Sequence, residues 1–135
     1  HRLLMSDKNS KYSKGIGSNG SAVLNRSSLL NLADNLGNIH FIVDDNDGNW
    51  YDGVNLWLGA GDDNITVTSI PGSTDTDRVT TSVYAGNGTD TLIINLDKAA
   101  DNIGNSVFVA NGQGGDDILN ASGSSLPVIL FGDGG

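Results

Sequence analysis

The stretch Gly59-Ala60-Gly61-Asp62-Asp63-Asn64-Ile65-Thr66-Val67 (GAGDDNITV, 59–67) recurs twice downstream without gaps, as GNGTDTLII at 86–94 and GQGGDDILN at 112–120. Each copy reads G-x-G-x-D-x-[IL], and the chain ends on GDGG at 132–135, the opening of a fourth. A repeat of this kind marks one supersecondary unit that buries its apolar face by stacking on its neighbours. The strand ahead of each turn repeats too: LWL at 56–58, VYA at 83–85, FVA at 108–110 and ILF at 129–131. The aligned aspartates Asp63, Asp90 and Asp116 lie 27 and 26 residues apart, and the fourth turn follows 20 after the third. The longer spacings place the extra residues in the return connection, opposite the glycine turns.

These features predict an all-β chain, a parallel β-roll or β-helix solenoid with glycine–aspartate turns on one side and longer irregular returns on the other. Strands are expected near 22–24, 39–43, 55–58, 65–68, 79–85, 91–96, 106–110, 117–121 and 127–131. Residues 1–20, polar and basic, read as an arm or linker. Residues 21–135 form the solenoid, with degenerate coils over 21–56 and full repeats over 57–135, the last truncated. A second self-similarity pairs ADNLGNIHFIV (33–43) with ADNIGNSVFVA (100–110). One-turn helices are expected just upstream of each, capped by Ser28 or Asp97 and stopped by Gly37 or Gly104.

The chemistry follows from composition and spacing. All 16 acidic residues are aspartate, and the chain carries 19 glycines and no cysteine. Short carboxylates suit tight turns, where calcium sites use them. In residues 27–135 fifteen aspartates face only Arg78 and Lys98, a charge of −13 that repels itself unless cations neutralise it. This excludes nucleic acid as a partner of the body. The absence of cysteine excludes thiolate zinc sites and disulfides. No apolar run is long enough to span a membrane. The start at His1 reads as a processed product or a piece of something longer. In each turn the glycines permit positive φ, the carbonyls point inward, and the aspartate reaches back. One turn supplies about three oxygens and calcium takes about 6–8, so the ion is expected between adjacent turns.

The repeats resemble the RTX (repeats-in-toxin) family of haemolysin-type nonapeptides, G-G-x-G-x-D-x-U-x, over about residues 57–135. The resemblance implies calcium-dependent folding and export to a calcium-rich exterior, on a bacterial cell surface. Carried over by position, the metal ligands are the carboxylates of Asp63, Asp90 and Asp116. Carbonyls join them from Gly59 and Gly61, Gly86 and Gly88, and Gly112 and Gly114. Asp62 and Asp117 flank the motif and tune its charge. The family's first glycine is replaced by Leu58, Ala85 and Asn111, and the turns recur on one side only, so one row of ions is expected. Whether Asp44, Asp45 or Asp47 adds a further site stays open.

The expected function is a calcium-binding structural module of a secreted or cell-surface protein, such as a surface-layer, adhesin or filament component. The alternative is the non-catalytic module of a larger secreted enzyme or toxin. No catalytic role is expected, because there is no glutamate and no Ser/His/Asp set. The fingerprint-like run at 15–20 lacks a preceding strand and a following helix. An EF-hand reading of 43–54 fails, because Val43 and Val54 stand where carboxylates are required. His40 reads as a surface or edge residue. Trp50, Tyr51 and Trp57 read as a core or cap of the first coil, with a carbohydrate-stacking platform as the rival. Self-association into a layer or filament is the remaining partner reading.

Overall fold

The computed structural model describes residues 3–6, 22–24, 28–30, 39–40, 53–71, 79–99 and 106–134. They form eleven strands: β1 (Leu3–Ser6), β2 (Ala22–Leu24), β3 (Ser28–Leu30), β4 (Ile39–His40), β5 (Val54–Trp57), β6 (Asn64–Val67), β7 (Thr80–Asn87), β8 (Thr91–Ile94), β9 (Val107–Gly114), β10 (Ile118–Asn120) and β11 (Val128–Phe131). No helix occurs among the described residues. The strands make two sheets. The first is parallel throughout, in the order β1-β5-β7-β9-β11. The second is mixed, in the order β10-β8-β6-β2-β3-β4.

Alternation explains why these segments are strands and which face they bury. In the second sheet Ala22, Ile65 and Leu92 share one register row, and Leu24, Val67 and Ile94 the next. All six are fully buried. In the first sheet Leu56, Val83 and Ala110 form the corresponding buried row, followed inward by Leu58 and Ala85. Period-two burial on both sheets places one apolar core between them. Phe108, fully buried, is its largest side chain. Trp57 and Tyr84, register partners on the first sheet, stack with ring centroids 5.1 Å apart and planes 8° from parallel. That spacing is close to the strand spacing, so the two rings stack face to face as a ladder along the sheet.

The expectation of one parallel β-roll or β-helix solenoid running from residue 21 to 135 is corrected. The chain has a parallel sheet and a separate mixed sheet, and β3 runs antiparallel to both β2 and β4. The cause is local. Only three residues separate β2 from β3, and a parallel return needs a crossover of about a dozen. Ser28, expected to cap a helical turn, begins strand β3. Asp97 does accept from the Ala99 N–H at 2.9 Å, closing a short turn. The segments 31–38 and 100–105, the acidic turn at 44–48, His1, Trp50 and Tyr51 lie outside the described residues, as do most of the arm at 1–20 and most of 21–56.

Glycine turns carry the chain from β5 to β6, from β7 to β8 and from β9 to β10. Positive φ recurs at Gly59 and Gly61 and again at Gly86 and Gly88; in the third turn it falls on Gln113, at 69°, and on Gly115. A glutamine there holds a left-handed backbone, which disfavours any residue with a Cβ. Gln113→Gly is expected to stabilise the protein by about 1 kcal/mol. Thermal unfolding should show this as a rise of a few degrees in Tm, and a fall would mean that the Gln113 side chain contributes more than its backbone strain removes.

Candidate functional site

The turns stack at a constant interval of 27 residues. Asn64 pairs with Thr91 and Thr91 with Ile118 in the second sheet; Gly86 pairs with Gln113 in the first. Backbone bonds tie the turns along the stack: Asn87 N–H donates to the Gly59 carbonyl, Gly61 N–H to the Asn87 carbonyl, and Gly88 N–H to the Gly114 carbonyl. This register puts Asp63, Asp90 and Asp117 in one row. It excludes Asp116, which sequence spacing had placed there; Asp116 is exposed and falls in the outer row with Asp62 and Thr89. The third turn is therefore read one residue later. Gly115 takes the position of Gly61 and Gly88, and Leu119 takes that of Ile65 and Leu92. Gly112 and Gly114, expected as carbonyl donors, precede that position, and the Gly114 carbonyl already accepts one N–H.

The row is held by the carboxylates themselves. Asp90 Oδ1 accepts from the Asp63 N–H at 2.8 Å, and Asp117 Oδ1 accepts from the Asp90 N–H at 3.1 Å. Outside the row, Asp62 Oδ1 accepts from the Thr89 N–H at 2.8 Å. Asp63 and Asp90 are buried, whereas Asp117, one step nearer the end, is half-buried. Asp90 Oδ2 is buried and has no hydrogen-bond partner among the described residues. Burial is the main force raising the Asp90 carboxyl from its ordinary 3.8 to about 6; the bond from Asp63 opposes the rise, and the charges of Asp117 and Asp62 add to it. Sequence reasoning treated Asp117 and Asp62 as flanking charges and missed their turn-to-turn bonds. The signal was present in the even 27-residue spacing that Asp117 gives and Asp116 does not.

Whether calcium fits can be judged from these donors. Among the described residues no three His, Cys, Asp or Glu side chains converge as a metal-binding group. Carboxylates alone therefore do not complete a shell, and backbone carbonyls would have to contribute. The Gly59, Asn87 and Gly114 carbonyls each accept one N–H and keep a second lone pair. The all-oxygen donor set suits a hard cation. The orphaned Asp90 Oδ2 lacks a partner, which in a buried carboxylate calls for a cation or a proton. The residues fit a calcium ion on those two counts. Comparison with protein-family models, curated proteins and solved structures finds no match for this chain.

Proposed function

We propose that this chain is a calcium-binding structural module of a secreted or cell-surface protein, its glycine–aspartate turns neutralised by ions and not engaged in catalysis. The observation that carries the reading is the Asp63–Asp90–Asp117 row, with a buried carboxylate oxygen on Asp90 that nothing among the described residues satisfies. The resemblance of the turns to RTX repeats supports it from the sequence side. Ions lying between adjacent turns would be held by Asp63 with Asp90 and by Asp90 with Asp117, with carbonyls of the turns at 59–61 and 86–88 completing the shell. Asp117 replaces Asp116 in that set, because the register and not the letter spacing decides which carboxylate lines up. Bound calcium would supply charge neutralisation. The chain's own part is to hold three carboxylates in line and keep water from Asp63 and Asp90. Among the described residues no helix is long and apolar enough to cross a membrane.

An ion that binds only the folded state at about a hundred times its Kd adds about 2.7 kcal/mol of stability. In a domain of this size that raises Tm by roughly 10 °C. The expected result is calcium retained after dialysis, counted per chain by mass spectrometry, together with a melting transition that chelator lowers and magnesium does not restore. Identical melting with calcium and with chelator would overturn the proposal.

A further inference from the structure

The outer face of the first sheet carries an aromatic row with a gap in it. Ser6, Trp57, Tyr84, Asn111 and Phe131 are register partners across β1, β5, β7, β9 and β11. Trp57 and Tyr84 stack on each other. Asn111 then interrupts the row, and Phe131, 52 % exposed, resumes it. Along β9, Val109 and Asn111 alternate with the fully buried Phe108 and Ala110, so both face outward and floor a trough. Ser82 and Tyr84 line one side of it, Ile129 and Phe131 the other. Two strand spacings, about 9.6 Å, separate the two sides. Asn111 Oδ1 accepts from the Gln113 N–H at 3.1 Å, which leaves the Asn111 amide N–H groups to donate.

Charge and size restrict the occupant. None of the five strands carries a charged residue, in a chain of net charge −9, so the face suits a neutral molecule. The area common to the five strands is about 24 by 13 Å, roughly 300 Å². A stable protein interface takes about 800 Å² from each partner, more than this face offers a second copy. A planar ring between the two sides fills only about 7 Å, twice the carbon contact distance. A puckered pyranose is thicker, because axial C–H bonds stand on both of its faces. We propose that the trough binds a neutral β-linked glucan, with one glucose ring held edge-on above Asn111 between Tyr84 and Phe131. β-Glucose carries all its hydroxyls equatorially, so both ring faces are apolar and each meets an aromatic side chain. The Asn111 amide donates to a hydroxyl at the edge of the ring. Equatorial glycosidic bonds leave the ring in its own plane, so a β-1,4-linked chain continues along β9 and sets its next ring above Val109. None of the aspartates takes part, so this proposal and the calcium proposal fail separately.

The test titrates the whole 135-residue protein, in millimolar calcium, with cellotetraose in a calorimeter. Saturable binding in the millimolar range is expected. The β-1,4-linked mannose tetramer has an axial hydroxyl on one face of each ring, and should bind roughly tenfold more weakly. Phe131→Ala removes one side of the slot and should weaken cellotetraose binding about tenfold. Its melting should stay within a few degrees of wild type, since Phe131 is already exposed. Asn111→Tyr fills the gap with a ring and should abolish binding. Its melting should also change by no more than a few degrees, because aromatic pairs across strands offset the lost bond from Gln113. Absence of saturation with cellotetraose overturns the proposal, as does equal binding of the glucose and mannose tetramers. Undiminished binding by Asn111→Tyr does the same. A dimer in sedimentation that Phe131→Ala separates would assign the face to a second copy and also overturn it.

Discussion

Gly86→Ala is expected to lower Tm by on the order of 10–15 °C, with or without calcium. Two effects add. Gly86 sits at φ +106°, where a residue with a Cβ is disfavoured by about 1–2 kcal/mol. A Cβ there would also overlap the carbonyl oxygen of Gly59 in the preceding turn. Relief requires the two turns to separate, which breaks the bonds from Asn87 N–H to the Gly59 carbonyl and from Gly61 N–H to the Asn87 carbonyl, each worth about 1 kcal/mol. The sum is about 3–4 kcal/mol, a large share of the stability of a domain this size. Gly132→Ala is the control. It has no neighbour within 4 Å and no left-handed backbone, so its effect should stay within about 0.5 kcal/mol. Equal, small effects of the two substitutions in thermal melts would mean that the turns are not in contact. The same overlap recurs at Gly115 against the Gly88 carbonyl, so the argument concerns the stack and not one position.

The repeated motif makes the stack of turns legible in the sequence, and it also produces the one-residue error at its end. In the first two turns, glycines at 59 and 61 and at 86 and 88 take the left-handed backbone, and Asp63 and Asp90 follow in the buried row. In GQGGDD the same rule points to Gly112 and Gly114, because it never assigns a left-handed backbone to glutamine. The chain does so at Gln113, since keeping the 27-residue register lets Leu119 pack against the core and turns Ile118 outward, 56 % exposed. Long-range strand pairing overrode a local preference of about 1 kcal/mol. The antiparallel strands β3 and β4 were hidden for a different reason. Leu29 and Leu30 read as part of a helical period, and a three-residue run gives no period of its own to argue otherwise. Their pairing is a tertiary fact, set by how closely they follow β2.

Asp90→Asn should reverse its effect on stability between calcium and chelator. In chelator at pH 7.5 the wild-type carboxyl is ionised, although burial has pushed it up to about 6. Removing that charge while keeping an oxygen to accept from the Asp63 N–H should raise stability by about 1–2 kcal/mol. In calcium the amide is a poorer ligand, and the variant should melt below the wild type. Asp90→Ala has no such crossing in calcium, because it also strands the buried Asp63 N–H, a loss of about 1–3 kcal/mol on top of the lost ligand. The pH dependence follows with a definite sign. A carboxyl raised above its unfolded value contributes stability that is fully present below the unfolded 3.8 and is lost as pH rises through about 6. Chelated wild type should therefore melt higher at pH 5 than at pH 7.5, and Asp90→Asn should lack that contribution. Calcium needs the carboxylate deprotonated, so its stabilising effect should shrink over the same window as pH falls. If Asp90→Asn is the less stable protein in both buffers and the pH difference persists in it, the buried carboxylate serves only as an acceptor in the ladder. Calcium would then have no claim on the Asp63–Asp90–Asp117 row.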